Sequence, residues 1–163
     1  MSESHFECIL WDFGGVFTGS PFYSIDIYSA HLGVKSQELI ELVLGYGLDD
    51  GDHHWHRLER GEITMVEALE EIEVLTSTRG IEGFEIRDFF KSMGGKSDTT
   101  EEMFDAVRRY KDLGINQFIL SNNILEFSSS WKSMLPENIF DGIIDSSEVG
   151  IRKPDPKIFM LAL

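Results

Sequence analysis

Short apolar runs and longer amphipathic stretches alternate along this chain, and the two patterns predict different elements. Cys8–Trp11 is a continuous apolar run that stops at a polar, glycine-containing turn beginning with Asp12. This pattern is typical of a buried strand that enters a tight loop. Residues 115–120 and 140–144 have a similar apolar character. We therefore predict three strands.

Stretches with apolar residues three or four positions apart separate these runs and predict helices. Ser36 is the expected N-cap of one helix, which ends near Gly45. Thr64 and Glu67 match a capping box at the start of another helix. The apolar face of that helix, which we expect to be packed in the interior, consists of Val66, Leu69, Ile72 and Leu75.

Further helix signals occur in the second half of the chain. Thr99 and Glu102 match a second capping box, before a helix that should end at Gly114. A helix is expected over residues 127–135. Asp155 and Pro156 suit the cap and the first turn of a last helix.

The order of these elements predicts an α/β fold with a Rossmann-like parallel sheet. Strands separated by helices form right-handed βαβ units, and helices then cover both faces of the sheet. We expect residues 1–16 and 96–163 to form the core. Residues 17–95 read as a helical insert, a cap over the carboxyl ends of the strands, where open sheets of this kind bind ligands.

Composition narrows the function classes. Twenty-nine Asp and Glu against fourteen Lys and Arg give a net charge of -15, which argues against nucleic acid as a partner. The first residues lack the pattern of a signal peptide, and no segment is apolar enough to span a membrane. We therefore expect a soluble cytoplasmic protein with no membrane partner. The oligomeric state stays open.

Polar residues follow the ends of the predicted strands. Asp12 follows the first strand, Ser121 and Asn122 follow the second, and Lys153 precedes a helix after the third. At one edge of a parallel sheet these groups would converge on a small anion. Asp12 would be a nucleophile, Ser121 and backbone N–H groups would orient the substrate, and Lys153 would neutralise charge.

Three stretches resemble motifs of the haloacid dehalogenase (HAD) superfamily. Residues 9–16 (ILWDFGGV) look like motif I, residues 119–122 (ILSN) like motif II, and residues 140–156 are similar to the motif III region in detail. Order and spacing agree across nearly the whole chain. The insert resembles the helical cap of the subfamily that includes the phosphatase domain of soluble epoxide hydrolase. The Gly-Gly-Val form also resembles the HAD-like domain of certain acyl-CoA dehydrogenase fusions.

This resemblance implies a magnesium-assisted phosphatase that acts on a small phosphorylated metabolite. Asp12 would attack phosphorus, and its other carboxylate oxygen would bind Mg²⁺ together with the backbone carbonyl of Gly14. Ser121 and Asn122 would bind the substrate beside Gly15, whose lack of a side chain allows a close approach. Lys153 would stabilise the nucleophile and the aspartyl-phosphate.

Two departures from the family pattern affect the expected activity. Gly14 stands where family phosphatases usually carry a second Asp as general acid, so a substrate with a good leaving group would suffer least. Motif IV, an acidic pair after a further strand, is expected beyond Lys153, but the sequence stops at Leu163. We therefore expect a core that lacks its C-terminal part and an impaired activity of this chain. The alternatives are a metal-independent dehalogenase-type hydrolase and a non-catalytic HAD-like binding module.

Two further clusters have ordinary explanations. His53 and His56 lie in a histidine-rich stretch, for which we favour a polar cap face that touches substrate through Trp55 or His56 over a metal site. The acidic run that includes Asp49, Asp50 and Asp52 lacks the spacing of a calcium loop. We expect that run to be solvated surface.

Overall fold

Three parallel strands form the sheet from which the site is built. The computed structural model describes residues 8–20, 22, 24–47, 50–93 and 100–163. The strands are β1 (Cys8–Trp11), β2 (Asn116–Ser121) and β3 (Gly142–Asp145), in the spatial order β1–β2–β3. Both pairings are parallel, with Phe118 of β2 opposite Leu10 and Gly142. The predicted α/β class and parallel sheet are confirmed.

Helices occupy most of the chain between and after the strands. In the described part of the chain, six α-helices lie between β1 and β2: α1 (Ile25–His31), α2 (Ser36–Leu44), α3 (His54–Glu59), α4 (Met65–Thr78), α5 (Ile86–Met93) and α6 (Thr100–Asp112). The others are α7 (Ser128–Lys132), α8 (Ser146–Val149) and α9 (Pro156–Met160). Within the described ranges, none of these helices is long and apolar enough to cross a membrane.

Two of the predicted helix caps are present in the structure. Thr64 and Glu67 form the predicted capping box, with the Thr64 N–H donating to Glu67 Oε2 at 2.7 Å and the Glu67 N–H to Thr64 Oγ1 at 3.3 Å. Asp155 caps α9 as predicted, because its carboxylate accepts from the Lys157 N–H at 2.9 Å. The box predicted at Thr99 lies outside the described residues.

The prediction that Ser36 caps α2 is wrong. Lys35 is the N-cap residue, and Ser36 is the first residue of the helix. The Ser36 hydroxyl donates instead to the Asp26 carboxylate of α1, and it lies 2.9 Å from the Ser29 hydroxyl. A contact between two helices has therefore replaced a local cap.

The predicted buried face of α4 is confirmed at Ile72 and at Leu69, which packs against the same apolar cluster, but it is wrong at Val66. Val66 is 66% exposed, whereas Ala68, Ile72 and Thr76 are buried. These three residues are four positions apart and form one continuous row on the helix. Thr76 tolerates burial because its hydroxyl donates to the Ile72 carbonyl at 2.9 Å.

Among the residues that the structure describes, four apolar clusters make up the interior. One, rich in aromatic side chains, packs α6 and α7 against the sheet and includes Phe13, Phe17, Phe104, Val107, Ile119 and Trp131. A smaller one next to α9 consists of Leu120, Ile144 and Ile158. The residues between β1 and β2 have their own cluster, which includes Ile25, Leu39, Val43, Ile72 and Phe89. A fourth joins these helices to the loop after β2, through Leu58, Ala68 and Ile124.

The turn after α3 approaches the end of the sheet closely. Gly61 has a φ of +67°, and a Cβ atom there would lie 2.5 Å from the backbone oxygen of Ser147. Near the same turn, the N–H of Met65 donates to Glu126 Oε1 at 2.7 Å. The helices between β1 and β2 are therefore held against the loops at the carboxyl ends of β2 and β3.

Candidate functional site

A cavity of about 610 Å³ opens at the carboxyl ends of the strands. Residues from the strand ends line one side of it, and they include Asp12 and Lys153. The other side is lined by residues from the helical region, with the aromatic and aliphatic side chains Phe22, Leu44, Tyr46 and Trp55. The cavity thus has a charged side and an apolar side.

Asp12 and Lys153 form an ion pair on the charged side. Lys153 Nζ lies 2.8 Å from Asp12 Oδ1, which also accepts from the Phe13 N–H at 2.8 Å. The Asp12 side chain is about half exposed, at 47%. Asp12 Oδ2 accepts no hydrogen bond from the part of the chain that the structure describes, so one carboxylate oxygen of this cavity residue is without a protein donor.

Asn122 fixes the backbone that carries the lysine. Its Oδ1 accepts from the Lys153 N–H at 2.7 Å, and its Nδ2 donates to the Lys153 carbonyl at 3.0 Å. Both polar atoms of the Asn122 amide therefore bond to the backbone of Lys153. Asn122 lies immediately after β2, so it connects the second strand end to the loop that follows α8.

The other predicted site residues lie close to this pair. Gly14 lines the cavity, and a Cβ atom there would meet no atom within 4 Å. Gly15, with a φ of +77°, donates its N–H to Thr18 Oγ1 at 3.1 Å. Ser121 is buried at the end of β2, where its hydroxyl donates to the Asn122 carbonyl at 3.4 Å. The structure thus places Asp12, Gly14, Asn122 and Lys153 on the cavity, with Ser121 and Gly15 beside it.

A network of ion pairs that the sequence analysis missed connects the two sides of the cavity. Arg152 Nε donates to Glu59 Oε2 at 2.7 Å, and Arg152 Nη1 to Asp50 Oδ1 at 3.0 Å. Arg60 Nη1 also donates to Asp50 Oδ1, at 2.8 Å. Asp50 is exposed, as expected for that acidic run, but its carboxylate also pairs with two arginines. Asp49 lies outside the described residues, and Asp52 is exposed.

Glu59 is the most enclosed carboxylate of this network. Burial raises the pKa of the Glu59 carboxyl, while the Arg152 guanidinium and the Trp55 indole N–H act in the opposite direction. The indole donates to Glu59 Oε1 at 3.0 Å. Since each oxygen accepts from a donor, we assign Glu59 as an ionised partner of Arg152. The sequence offered one signal for Arg152, which is its position next to Lys153. It offered no signal for Glu59.

Three histidines cover the C-terminal end of α2. His53, His54 and His56 place their Nε2 atoms 3.3, 2.9 and 3.1 Å from the carbonyl oxygens of Leu42, Val43 and Gly45. Because a carbonyl only accepts, each ring must donate from Nε2. Within the described ranges, no group of three or more His, Cys, Asp or Glu side chains is arranged to hold a metal ion.

The same environment keeps these rings neutral. Burial lowers the pKa of His53 from 6.5 to about 4, with a further contribution from the neighbouring His54. Burial also lowers the pKa of His54 and His56. His56 Nδ1 is buried, finds no hydrogen-bond partner in the described part of the chain, and lies 3.6 Å from Asp50 Oδ1.

A protein family and individual known proteins are similar to this chain in sequence. The sequence profile of haloacid dehalogenase-like hydrolases matches residues 6–163. Acyl-CoA dehydrogenase family member 10 of Mus musculus is 30% identical over 97% of this chain, which spans 15% of the length of that protein. The sesquiterpene phosphatase astK of Aspergillus oryzae is 25% identical over 94% of this chain and 71% of its own length.

Solved structures share the fold. A mutant of a HAD family enzyme of Bacteroides thetaiotaomicron, in complex with magnesium and inorganic phosphate, matches 96% of this chain and 77% of its own. The TM-score of that match is 0.65 and the sequence identity 20%. A dehalogenase structure matches 99% of this chain and 71% of its own, with a TM-score of 0.58 and 16% identity.

Proposed function

The chain belongs to the haloacid dehalogenase-like hydrolases, and from this premise we propose that it is a phosphatase that forms an aspartyl-phosphate at Asp12. The observation that carries the proposal is the Asp12–Lys153 ion pair at 2.8 Å, on a cavity at the carboxyl ends of parallel strands. A carboxylate nucleophile and a fixed ammonium group suit attack on a phosphoryl group, whose negative charge needs a cation nearby.

In the first step Asp12 attacks phosphorus through a carboxylate oxygen. The bond between phosphorus and the substrate oxygen breaks, and its electron pair leaves with that oxygen. Lys153 and the Phe13 N–H orient the carboxylate before attack, since both donate to Oδ1. In the second step water attacks the same phosphorus, the bond to Asp12 breaks, and inorganic phosphate leaves.

The remaining predicted residues have supporting roles in this proposal. Asn122 acts through Lys153, because both ends of its amide hold the lysine backbone. Ser121 is proposed to contact the phosphoryl oxygens, and its 3.4 Å hydrogen bond to the Asn122 carbonyl is long enough to be exchanged easily. Gly15 keeps the turn open, because its φ of +77° suits a residue without a side chain.

Mg²⁺ is the proposed cofactor, and the residues on the cavity fit it. Asp12 and the backbone carbonyl of Gly14 would hold the ion, leaving positions for water and phosphate oxygens, as is usual for Mg²⁺. A free Asp12 Oδ2 on the cavity supports this assignment, and so does the magnesium and phosphate complex of the Bacteroides enzyme. When bound, the ion would neutralise charge on the phosphoryl oxygens.

We also propose that residues 17–95 form a cap over a core of residues 1–16 and 96–163. The separate apolar cluster of the helical region supports this division. The cavity lies between residues of the two parts.

The experiment is phosphate release from p-nitrophenyl phosphate by the purified chain. Release with Mg²⁺ that is lost with a chelator and in Asp12→Asn supports the proposal. Asp112→Asn, at an exposed residue at the end of α6, is the matched control and should keep full activity. Halide release from a haloacid without metal would favour a dehalogenase instead, and a folded protein without either activity would indicate a binding module.

A further inference from the structure

We infer that the substrate is an aryl phosphate, a phosphate monoester whose leaving group is an apolar phenol. This inference rests on the proposed phosphatase function and adds the chemical class of the leaving group. Two independent features lead to it: the apolar side of the cavity, and the absence of a free carboxylic acid for the leaving oxygen among the described cavity residues.

The apolar side is built for a flat, uncharged group. Phe22 and Tyr46 meet edge to face, with ring centroids 5.4 Å apart and an interplanar angle of 78°. Tyr46 is 62% exposed, so this ring contributes a surface to the cavity and little to the interior. Leu44 and Trp55 complete the wall. At about 610 Å³ the cavity has room for a bicyclic group beyond the phosphate.

Apart from the Tyr46 hydroxyl, most side-chain polar atoms near this wall are already engaged. The Trp55 indole N–H donates to Glu59, Glu59 accepts from Arg152, and His56 Nε2 donates to the Gly45 carbonyl. His56 Nδ1 is enclosed and cannot reach a ligand. A sugar or polyol placed here would lose its hydrogen bonds to water with few replacements, which is costly. An aromatic ring would lose none.

The leaving oxygen must depart without help from a free carboxylic acid among the described cavity residues. At Gly14 there is no side chain, and the described carboxylates on the cavity are those of Asp12 and Glu59. Asp12 is the nucleophile, and Glu59 accepts hydrogen bonds at both oxygens. When the P–O bond breaks, the electron pair therefore stays on the leaving oxygen, which later takes a proton from water. A phenol tolerates this, because its pKa of about 10 is far below that of an alkyl alcohol.

The test compares kcat/KM for 2-naphthyl phosphate, octyl phosphate, acetyl phosphate and glucose 6-phosphate. We expect 2-naphthyl phosphate to exceed the octyl and glucose esters by about a hundredfold or more, as the loss of general acid catalysis predicts. It should exceed acetyl phosphate, which has a good leaving group but no apolar body, by about tenfold. A preference for any of the other three compounds overturns the inference.

Variants of Tyr46 test the apolar wall. Tyr46→Ser should lower kcat/KM for 2-naphthyl phosphate about tenfold, mainly through KM, and leave acetyl phosphate turnover much less affected. Tyr46→Phe keeps the ring, so its kcat/KM for 2-naphthyl phosphate should stay close to that of the unchanged protein. Phe127→Ser, at a half-exposed aromatic residue outside the cavity, is the control. Equal losses for both substrates overturn the inference, whereas a folded protein that hydrolyses none of the four compounds overturns the proposed function itself.

Discussion

The Asn122 side chain makes two hydrogen bonds to the backbone of Lys153, accepting from its N–H at 2.7 Å and donating to its carbonyl at 3.0 Å. The lysine ammonium reaches Asp12 Oδ1 at 2.8 Å from that fixed backbone. The position of the Lys153 charge therefore depends on the neutral side chain of Asn122 at the end of β2.

Replacing Asn122 should loosen the position of the Lys153 ammonium relative to the Asp12 carboxylate. Asn122→Ala removes both hydrogen bonds, so we expect kcat for an aryl phosphate to fall about tenfold or more and the free energy of unfolding to fall by about 1–3 kcal/mol. Steady-state kinetics and urea denaturation measure the two effects. Asn123→Ala is the matched control, since among the described residues the Asn123 side chain accepts only from the neighbouring Ile124 N–H. Equal losses of kcat in the two variants would contradict the positioning role.

A second prediction concerns the close approach at Gly61. Gly61→Ala should lower the free energy of unfolding by more than about 2 kcal/mol, because the new Cβ would combine a positive φ with a 2.5 Å contact to the Ser147 backbone oxygen. Gly33→Ala has a similar φ of +71° but open space around the added atom, so it should cost only about 1 kcal/mol. If the two variants are equally stable in urea, the contact between the turn after α3 and Ser147 is not tight.

The buried histidines predict a dependence of stability on pH. His53 titrates at about 4 in the folded protein and near 6.5 when unfolded. Between these values the unfolded chain holds a proton that the folded chain does not, so the free energy of unfolding should fall as the pH is lowered from about 6.5 towards 4. The lowered pKa values of His54 and His56 act with the same sign.

His53→Gln should make that dependence shallower, because an amide can still donate to the Leu42 carbonyl but does not titrate. Urea denaturation at pH 7, 5.5 and 4.5 provides the comparison. His31→Gln, at an exposed histidine in α1, should keep the slope of the unchanged protein. A slope in His53→Gln that matches the unchanged protein would show that His53 is not the titrating group.

Gly14 offers a direct test of the missing proton donor. A side chain is sterically allowed there, since a Cβ atom would meet nothing within 4 Å. Gly14→Asp should raise turnover of octyl phosphate by about a hundredfold, within the range of general acid catalysis, and change that of 2-naphthyl phosphate little. Gly14→Asn has nearly the same size but no acidic proton. An equal rise in Gly14→Asn would assign the gain to shape and not to proton transfer.

The sequence was sufficient for features that depend on neighbouring residues. Asp12 and Lys153 lie in short motifs next to strand ends, and a parallel sheet brings such ends together whatever lies between them. The capping box of Thr64 and Glu67 is also local, and the structure contains it. Such features require only the strand order and the immediate chain.

Features that depend on distant packing were not predictable. Arg152 and Glu59 are 93 positions apart, so their ion pair depends on how α3 is placed against the sheet. Ser36 makes a contact with α1 in place of its expected capping role, and Val66 faces solvent because the row of Ala68, Ile72 and Thr76 packs inward. In each case a tertiary contact outweighed a local preference worth about 1 kcal/mol or less.

The histidines over α2 have an electrostatic consequence for a doubly charged substrate. A helix carries about half a negative charge at its C-terminus, and α2 ends at Leu44, which lines the cavity. Left uncovered, the carbonyls of Leu42, Val43 and Gly45 would repel the approaching anion. Three ring N–H groups turned towards them reduce that repulsion without adding a full positive charge. The helix end therefore opposes the entry of the dianion little, and the cavity keeps Lys153 as a cation that attracts it.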